Sequence, residues 1–218
     1  FQWGDTKKGG RMGGIGLEKD PWNVILTGVG GQGNVFASRM LAKMLAAKGL
    51  WVTIGETFGA TQRGGSVMSH VRVSVDRRLL SPQIPKGAAD WAVALEPLEA
   101  LRVLEGFGSP EVRMVLNDRP VYPMGVIAGE MDYPTQEALR ADLDALSKEA
   151  FWLDLTGIAK ALGSPALAST AILGAFVAKS GLSLTKEDAF LTLKDSIPEK
   201  KLASNLEAFE AGRLAAGA

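Results

Sequence analysis

The sequence predicts an α/β protein, a three-layer α/β/α domain with a mixed, mainly parallel sheet and a helical C-terminal third. Three observations point there. The apolar run Asn23–Thr27 ends in glycines and leads through a helix-period segment to a second apolar run, a strand–turn–helix–strand unit. The stretch that follows is too short for a crossover helix, so the next strand is not a simple parallel neighbour. From Thr156 onward the patterning is helical.

Each element follows from its residues. Asn23-Val24-Ile25-Leu26-Thr27 is apolar enough to be a parallel strand buried on both faces. A helix is predicted from about Val35 to Lys48. Val35, Phe36, Met40, Leu41, Met44 and Leu45 recur at helical spacing, Arg39 and Lys43 face away, and Gly49 suits a left-handed end. Trp51–Ile54 reads as the second strand. Ser66–Val75 alternates, with Val67, Val71, Val73 and Val75 on one side and Met68, His70 and Arg72 on the other. This strand is expected to be antiparallel or at an edge, and His70 to be an edge or interface residue. Asp76-Arg77-Arg78 reads as a turn, and the prolines at 82 and 85 mark an irregular link.

Trp91–Leu95 is another buried strand, and Pro97 suits the first turn of a helix reaching about Glu105. Val112–Leu116 is a fifth strand, ended by Asn117-Asp118. Arg119–Tyr133, with Pro120, Pro123, Gly125 and Gly129, is expected to be a loop holding at most a short strand. Thr135 caps a helix through Glu149, and Phe151–Leu155 is the last strand. Pro165–Lys179 is apolar nearly all round and reads as a buried helix. Thr185-Lys186-Glu187-Asp188 resembles a capping box, and Pro198 opens a final helix with Leu202, Leu206 and Phe209 on one face. Trp51, Trp91 and Trp152 are expected to fill the core. No repeat or linker divides the chain. Residues 1–20, charged and glycine-rich, are expected to be a flexible extension, leaving one domain over 21–218.

Composition narrows the chemistry. The chain has 218 residues, 46% hydrophobic and 22% charged, enough for a core without staples. Its 24 basic and 24 acidic residues cancel, so bulk charge draws it neither to nucleic acid nor to an anionic membrane. Cysteine is absent, which excludes thiolate catalysis and cysteine-held metal clusters, and a single histidine counts against a His-rich metal site and a Ser-His-Asp triad. The N-terminal stretch has no apolar core like that of a signal peptide. Pro165–Ala178, interrupted by Ser169 and Thr170, is too short to cross a bilayer. A cytoplasmic protein that does not carry its hard chemistry alone is the expectation.

The strongest local motif is Gly28-Val29-Gly30-Gly31-Gln32-Gly33, placed after a strand and before a helix. There, backbone N–H groups and the helix N-terminus can hold a phosphate. It satisfies G-x-G-x-x-G, and Glu56 near the end of the second strand stands where a dinucleotide enzyme grips ribose. The alternative is that glycines simply let the strand turn tightly. Against a dehydrogenase stands the next stretch, Thr57–Ser66, which is a glycine-rich loop and not a helix. In it Gln62 offers an amide, Arg63 a planar fork for phosphate or carboxylate, and Gly64 close backbone approach. Read from the residues alone, a nucleotide-binding regulator or adaptor and a nicotinamide dehydrogenase using Glu56 both remain open.

Four segments in order, GVGGQGNVFASRMLA, GETFGATQRGGSVMSHVRV, ALEPLEALR and IPEKKLASNLEAFEAG, resemble the gamma-type subunit of 2-oxoacid:ferredoxin oxidoreductases. The resemblance runs from about Trp22 to Gly212 and is nearest to the beta subunit of indolepyruvate (arylpyruvate) ferredoxin oxidoreductases, because pyruvate-type relatives carry an ERRGAPV-like string where ATQRGGSV stands. Phe58, Ser169 and Ala166 depart from the His, Asn and Arg that relatives tend to have. The resemblance implies a larger partner subunit holding thiamine diphosphate with Mg and the iron–sulfur clusters, with ferredoxin reached through that subunit. It also implies that coenzyme A is a co-substrate of the complex and that this chain holds no cofactor alone. Gly28, Gly30, Gly31, Gln32, Gly33, Glu56, Gln62, Arg63 and Gly64 are the candidate binding residues; none is assigned a catalytic or metal-ligating role.

Overall fold

β1 (Trp22–Val29) is buried along its whole length, and the rest of the protein is laid out around it. The computed structural model describes residues 15–59, 65–76 and 80–217. Beside β1 lie β2 (Trp51–Phe58), β3 (Ser66–Ser74), β4 (Trp91–Ala94), β5 (Arg113–Asn117) and β6 (Glu149–Leu153), in the sheet order β2-β3-β1-β4-β5-β6. β3 runs antiparallel to both of its neighbours, with Gly28 opposite Val67 and Glu56 opposite Ser69. β1, β4, β5 and β6 are mutually parallel. The mixed, mainly parallel sheet is thus as the sequence predicts, with β3 inside the sheet and β2 at its edge.

Alternation along the strands divides the core in two. Trp22, Val24 and Leu26 of β1, with Val71, Val73 and Val93, face α1 (Asn34–Ala47), α6 (Ala168–Ser180) and α8 (Leu202–Ala215). Ile25, Ala92, Ala94, Met114 and Leu116 face α2 (Pro97–Phe107). A four-residue α3 (Met124–Ile127) precedes α4 (Gln136–Leu146), whose Leu143 joins that second face. α5 (Leu155–Ala161) follows β6, and α7 (Lys186–Lys194) opens with the expected capping box between Thr185 and Asp188.

Several expectations change for physical reasons. Ile15 and Leu17 are buried in the α1 and α6 side of the core, and Ser183 N–H donates to the Ile15 carbonyl at 2.8 Å. Order therefore begins before Pro21; residues 1–14 lie outside the described ones. The Arg77-Arg78 part of the expected turn lies outside them too. Arg119–Tyr133 holds the helical turn α3 and no strand, because the Val126 and Ile127 N–H groups close back on the Pro123 carbonyl at 3.0 and 3.1 Å. α4 stops at Leu146, since Lys148 N–H is drawn to the Val112 carbonyl at 2.8 Å and Glu149 already pairs beside Arg113. Trp51 is 47% exposed because β2 is an edge strand, and Trp152 is half-buried under the Arg140 guanidinium. Trp91 is in the core as expected.

His70 is neither at an edge nor at a surface. It is 1% exposed, its Nδ1 accepts from Ile84 N–H at 3.5 Å, and its ring meets Phe107 edge-on. Burial, and after it the Arg72 guanidinium, holds its pKa below 6.5. The unfolded chain takes up this proton as pH falls through 6.5, whereas the folded chain takes it up only at lower pH. Stability is unaffected above that value and is lost as pH drops from it toward the folded pKa. As the sole histidine, it should account for a fall in denaturant midpoint between about pH 7 and about pH 5.5. That slope should vanish in His70→Asn; a slope surviving the substitution would assign the effect to other groups.

Candidate functional site

The carboxyl ends of β1, β4 and β5 meet at one edge of the sheet, where α1 and α2 depart to opposite faces. This is a topological switch point, the usual place for a ligand in an open α/β sheet. Between β1 and α1 the chain reverses over Gly30–Gly33. Gly33 is the N-cap of α1 with φ 91°, a left-handed conformation, and a Cβ there would meet Ser169 Oγ at 2.8 Å. Gln32 folds back as a strut. Its Oε1 accepts from Val29 N–H at 2.7 Å, and its Nε2 donates to the Leu95 carbonyl at 3.1 Å, tying the end of β1 to the end of β4. A Cβ on Gly28 would strike that amide and the Asn34 side chain. Asn34 Nδ2 donates to the Val67 carbonyl at 3.2 Å, and Gly30 N–H donates to the Gly65 carbonyl at 2.8 Å, which fix the turn against β3.

Two cavities flank this turn. The larger, about 690 Å³, is lined by Gly30, Gly31, Gly33, Asn34, Val67 and Phe58, the last 59% exposed. The smaller, about 270 Å³, is lined by Gly31, Asn117, Arg119, Val121 and Thr156 among others. Helix ends around the site differ. Glu96, Thr135, Asp154 and Thr185 cap α2, α4, α5 and α7 with their side chains. α1 has no capping side chain and no acid in its first turn. Its first residues, Asn34 and Val35, at the positive end of the helix dipole, border the larger cavity.

Of the residues predicted for the site, Gly30, Gly31 and Gly33 line the larger cavity, while Gly28 and Gln32 support the turn from within. Glu56 lies inside β2, two residues before its end, where its Oε1 accepts from Arg39 Nε and Nη2 at 3.3 and 3.2 Å. β2 pairs directly and antiparallel with β3, which is not the parallel, helix-linked arrangement of a dinucleotide fold. Gln62, Arg63 and Gly64 lie outside the described residues; Gly59, which precedes their segment, lines the larger cavity. Sequence reading missed Asn34, Val67, Asn117, Arg119 and Thr156. Asn117 was legible only as the end of a strand.

Beside the smaller cavity Glu96 is 1% exposed and fully engaged. It accepts from the Glu99 N–H at 2.8 Å, the Val121 N–H at 3.4 Å and the Tyr133 hydroxyl. Burial pushes its carboxyl up, against the pull of these bonds, and burial with the Glu96 charge pushes the Tyr133 phenol up as well. Among the described residues no three His, Cys, Asp or Glu side chains converge as metal ligands, and the sequence contains no cysteine. With no cysteine in the sequence, a cysteine-held iron–sulfur cluster does not fit this chain.

Residues 23–215 match the family of pyruvate ferredoxin/flavodoxin oxidoreductases. Indolepyruvate oxidoreductase subunit IorB of Archaeoglobus fulgidus is 32% identical over 87% of this chain and 92% of its own length. The IorB of Thermococcus kodakarensis is 31% identical over 89% of this chain and 96% of its own. The gamma subunit of a keto/oxoacid ferredoxin oxidoreductase from Geobacter sulfurreducens shares the fold with a TM-score of 0.64 at 21% identity, over 89% of this chain and 98% of that one. The chain belongs to the pyruvate ferredoxin/flavodoxin oxidoreductase family. Within it, this is a gamma-type subunit of a multi-subunit 2-oxoacid:ferredoxin oxidoreductase. No helix among the described residues is long and apolar enough to cross a membrane.

Proposed function

We propose that this chain is the small subunit of an indolepyruvate, or more broadly arylpyruvate, ferredoxin oxidoreductase, and that the Phe58 cleft borders the active site of a larger partner subunit. The reaction converts an arylpyruvate, coenzyme A and two oxidised ferredoxins into aryl-acetyl-CoA, carbon dioxide, two reduced ferredoxins and a proton. Thiamine diphosphate and iron–sulfur clusters, held by the partner, supply carbanion stabilisation and one-electron transfer. The observation that carries the reading is the match to indolepyruvate oxidoreductase subunits over nearly the full length of both chains.

This chain's own part is binding and exclusion of water. Gly30, Gly31 and Gly33 leave the uncapped start of α1 open to an anion. In this reading the anion is a phosphate of coenzyme A, for which Arg63 offers its guanidinium, Gln62 its amide and Gly64 a backbone free of a side chain, while Gly28 and Gln32 hold the turn. Phe58 gives the acyl or adenine portion an apolar wall. Glu56 acts indirectly, by keeping Arg39 in place on α1.

The complex, purified anaerobically through this subunit from its native host, should contain iron and thiamine diphosphate and reduce a viologen dye with indolepyruvate or phenylpyruvate. The kcat/KM for these should exceed that for pyruvate by about tenfold or more. Arg63→Ala and Phe58→Ala should each raise the KM for coenzyme A by about tenfold with assembly intact. Pyruvate preferred over aryl substrates would overturn the substrate assignment. An unchanged KM for coenzyme A in both variants would overturn the role of the cleft.

A further inference from the structure

The smaller cavity lies across the glycine turn from the Phe58 cleft, and Gly31 lines both. Among the described residues Arg119 is the only charged one lining it. Its guanidinium is exposed and takes part in no ion pair among the described residues. The acids nearby are engaged elsewhere. Asp118 is held by Arg140 and, at 3.2 Å, by Gln136. Glu96 is held by Tyr133 and two backbone N–H groups. The Arg119 charge is therefore left unneutralised at the mouth of a crevice.

The remaining polar groups form a rigid support. Asn117, fully buried, donates from Nδ2 to the Leu95 carbonyl at 3.1 Å and to Thr156 Oγ1 at 3.0 Å, and its Oδ1 accepts from Thr156 N–H at 3.1 Å. The Thr156 hydroxyl has only a long internal acceptor, Asn117 Oδ1 at 3.4 Å, so its proton is available to an incoming oxygen. The strut of Gln32 closes the side toward β1.

We propose that this crevice is a binding site for the oxyanion of a small molecule, a phosphate ester or a carboxylate, selected by Arg119 and received by the Thr156 hydroxyl. The site rests on the cavity, the unpaired guanidinium and the Asn117–Thr156 support, and is independent of the substrate proposed above. A planar fork and a hydroxyl lining one crevice suit an oxygen-rich anion better than a halide.

The test is an NMR titration of the isotope-labelled full chain with inorganic phosphate and, separately, with phenylpyruvate, at constant ionic strength. The amides of Gly31 and Thr156 and the Arg119 side-chain resonance should shift saturably. Arg119→Gln should weaken binding by about tenfold or more, and Arg119→Lys should keep part of it. Because the Arg119 side chain makes no hydrogen bond or ion pair among the described residues, both variants should melt with the parent. Saturation by phosphate alone identifies a phosphate ester as the natural group, and by phenylpyruvate alone a carboxylate. Shifts confined to Val35 and Gly59 in the other cleft, binding indifferent to Arg119→Gln, or no saturable shift would each overturn the proposal.

Discussion

Alanine at Gly174 or at Gly212 is expected to destabilise the chain by about 3 kcal/mol, lowering Tm by roughly 6–12 °C. These glycines lie where α6 and α8 cross. A Cβ on Gly174 would overlap the Phe209 carbonyl oxygen, and one on Gly212 would overlap the Ala171 carbonyl oxygen. Both obstacles are main chain inside a helix, so no side-chain rotation relieves them. The helices would have to separate, although Ile172, Phe176 and Phe209 are each fully buried in the same core. α6 is so nearly apolar all round because it lies between the sheet and α8, and glycine is what lets these two helices come this close. Gly106, within α2, is the control, since a Cβ there meets nothing within 4 Å. Gly106→Ala should be stabilising by about 0.5 kcal/mol. Urea titration of the three variants reads the difference; a stability loss in Gly106→Ala equal to that in Gly174→Ala would sink the close-contact account.

That crossing was only half legible in the sequence, and the reason is general. Properties set within a few residues could be read: the buried run of β1, the periodicity of α1, Pro97 at the start of α2, and the capping box of Thr185. The antiparallel β3 was readable because loop length limits topology. Properties set by distant partners could not be read. Trp51 is exposed because β2 is the edge strand of the described sheet, and strand order is not written in β2 itself. His70 is buried because the link through Ser81 and Gln83 folds over β3, where their carbonyls accept from Arg72 Nη1 at 3.0 and 3.5 Å. Ile15 and Leu17 were hidden by the glycines and charges around them.

The site divides in the same way. The glycine turn was visible as a string, and the family resemblance built on it holds over residues 23–215. The part of Gln32 as a strut depends on the Leu95 carbonyl, which only the β1–β4 pairing brings within reach. Arg119 passed unnoticed because its meaning comes from where β1, β4 and β5 end together, not from its neighbours in the chain.

Gly33→Ala should be the most damaging single change for activity, slowing turnover of the assembled complex by about a hundredfold. Two effects add at this position. Alanine at φ 91° is strained by about 1–2 kcal/mol, and its Cβ meets Ser169 Oγ at 2.8 Å. Ser169 belongs to α6, which the Gly174–Gly212 crossing prevents from retreating, so the turn must yield instead. Movement of the turn drags Gly31, which lines both cavities, and the start of α1, which lines the larger. Ser169→Gly separates the two effects, since it removes the contact and leaves the strained φ. In a double-mutant cycle the pair should recover about 1 kcal/mol of stability beyond additivity. Turnover should stay low if the function depends on the path of the backbone, and should return with stability if only the contact with α6 matters. A Gly33→Ala complex that assembles, melts lower and turns over normally would show that the turn is a structural corner, and would move the functional site away from the start of α1.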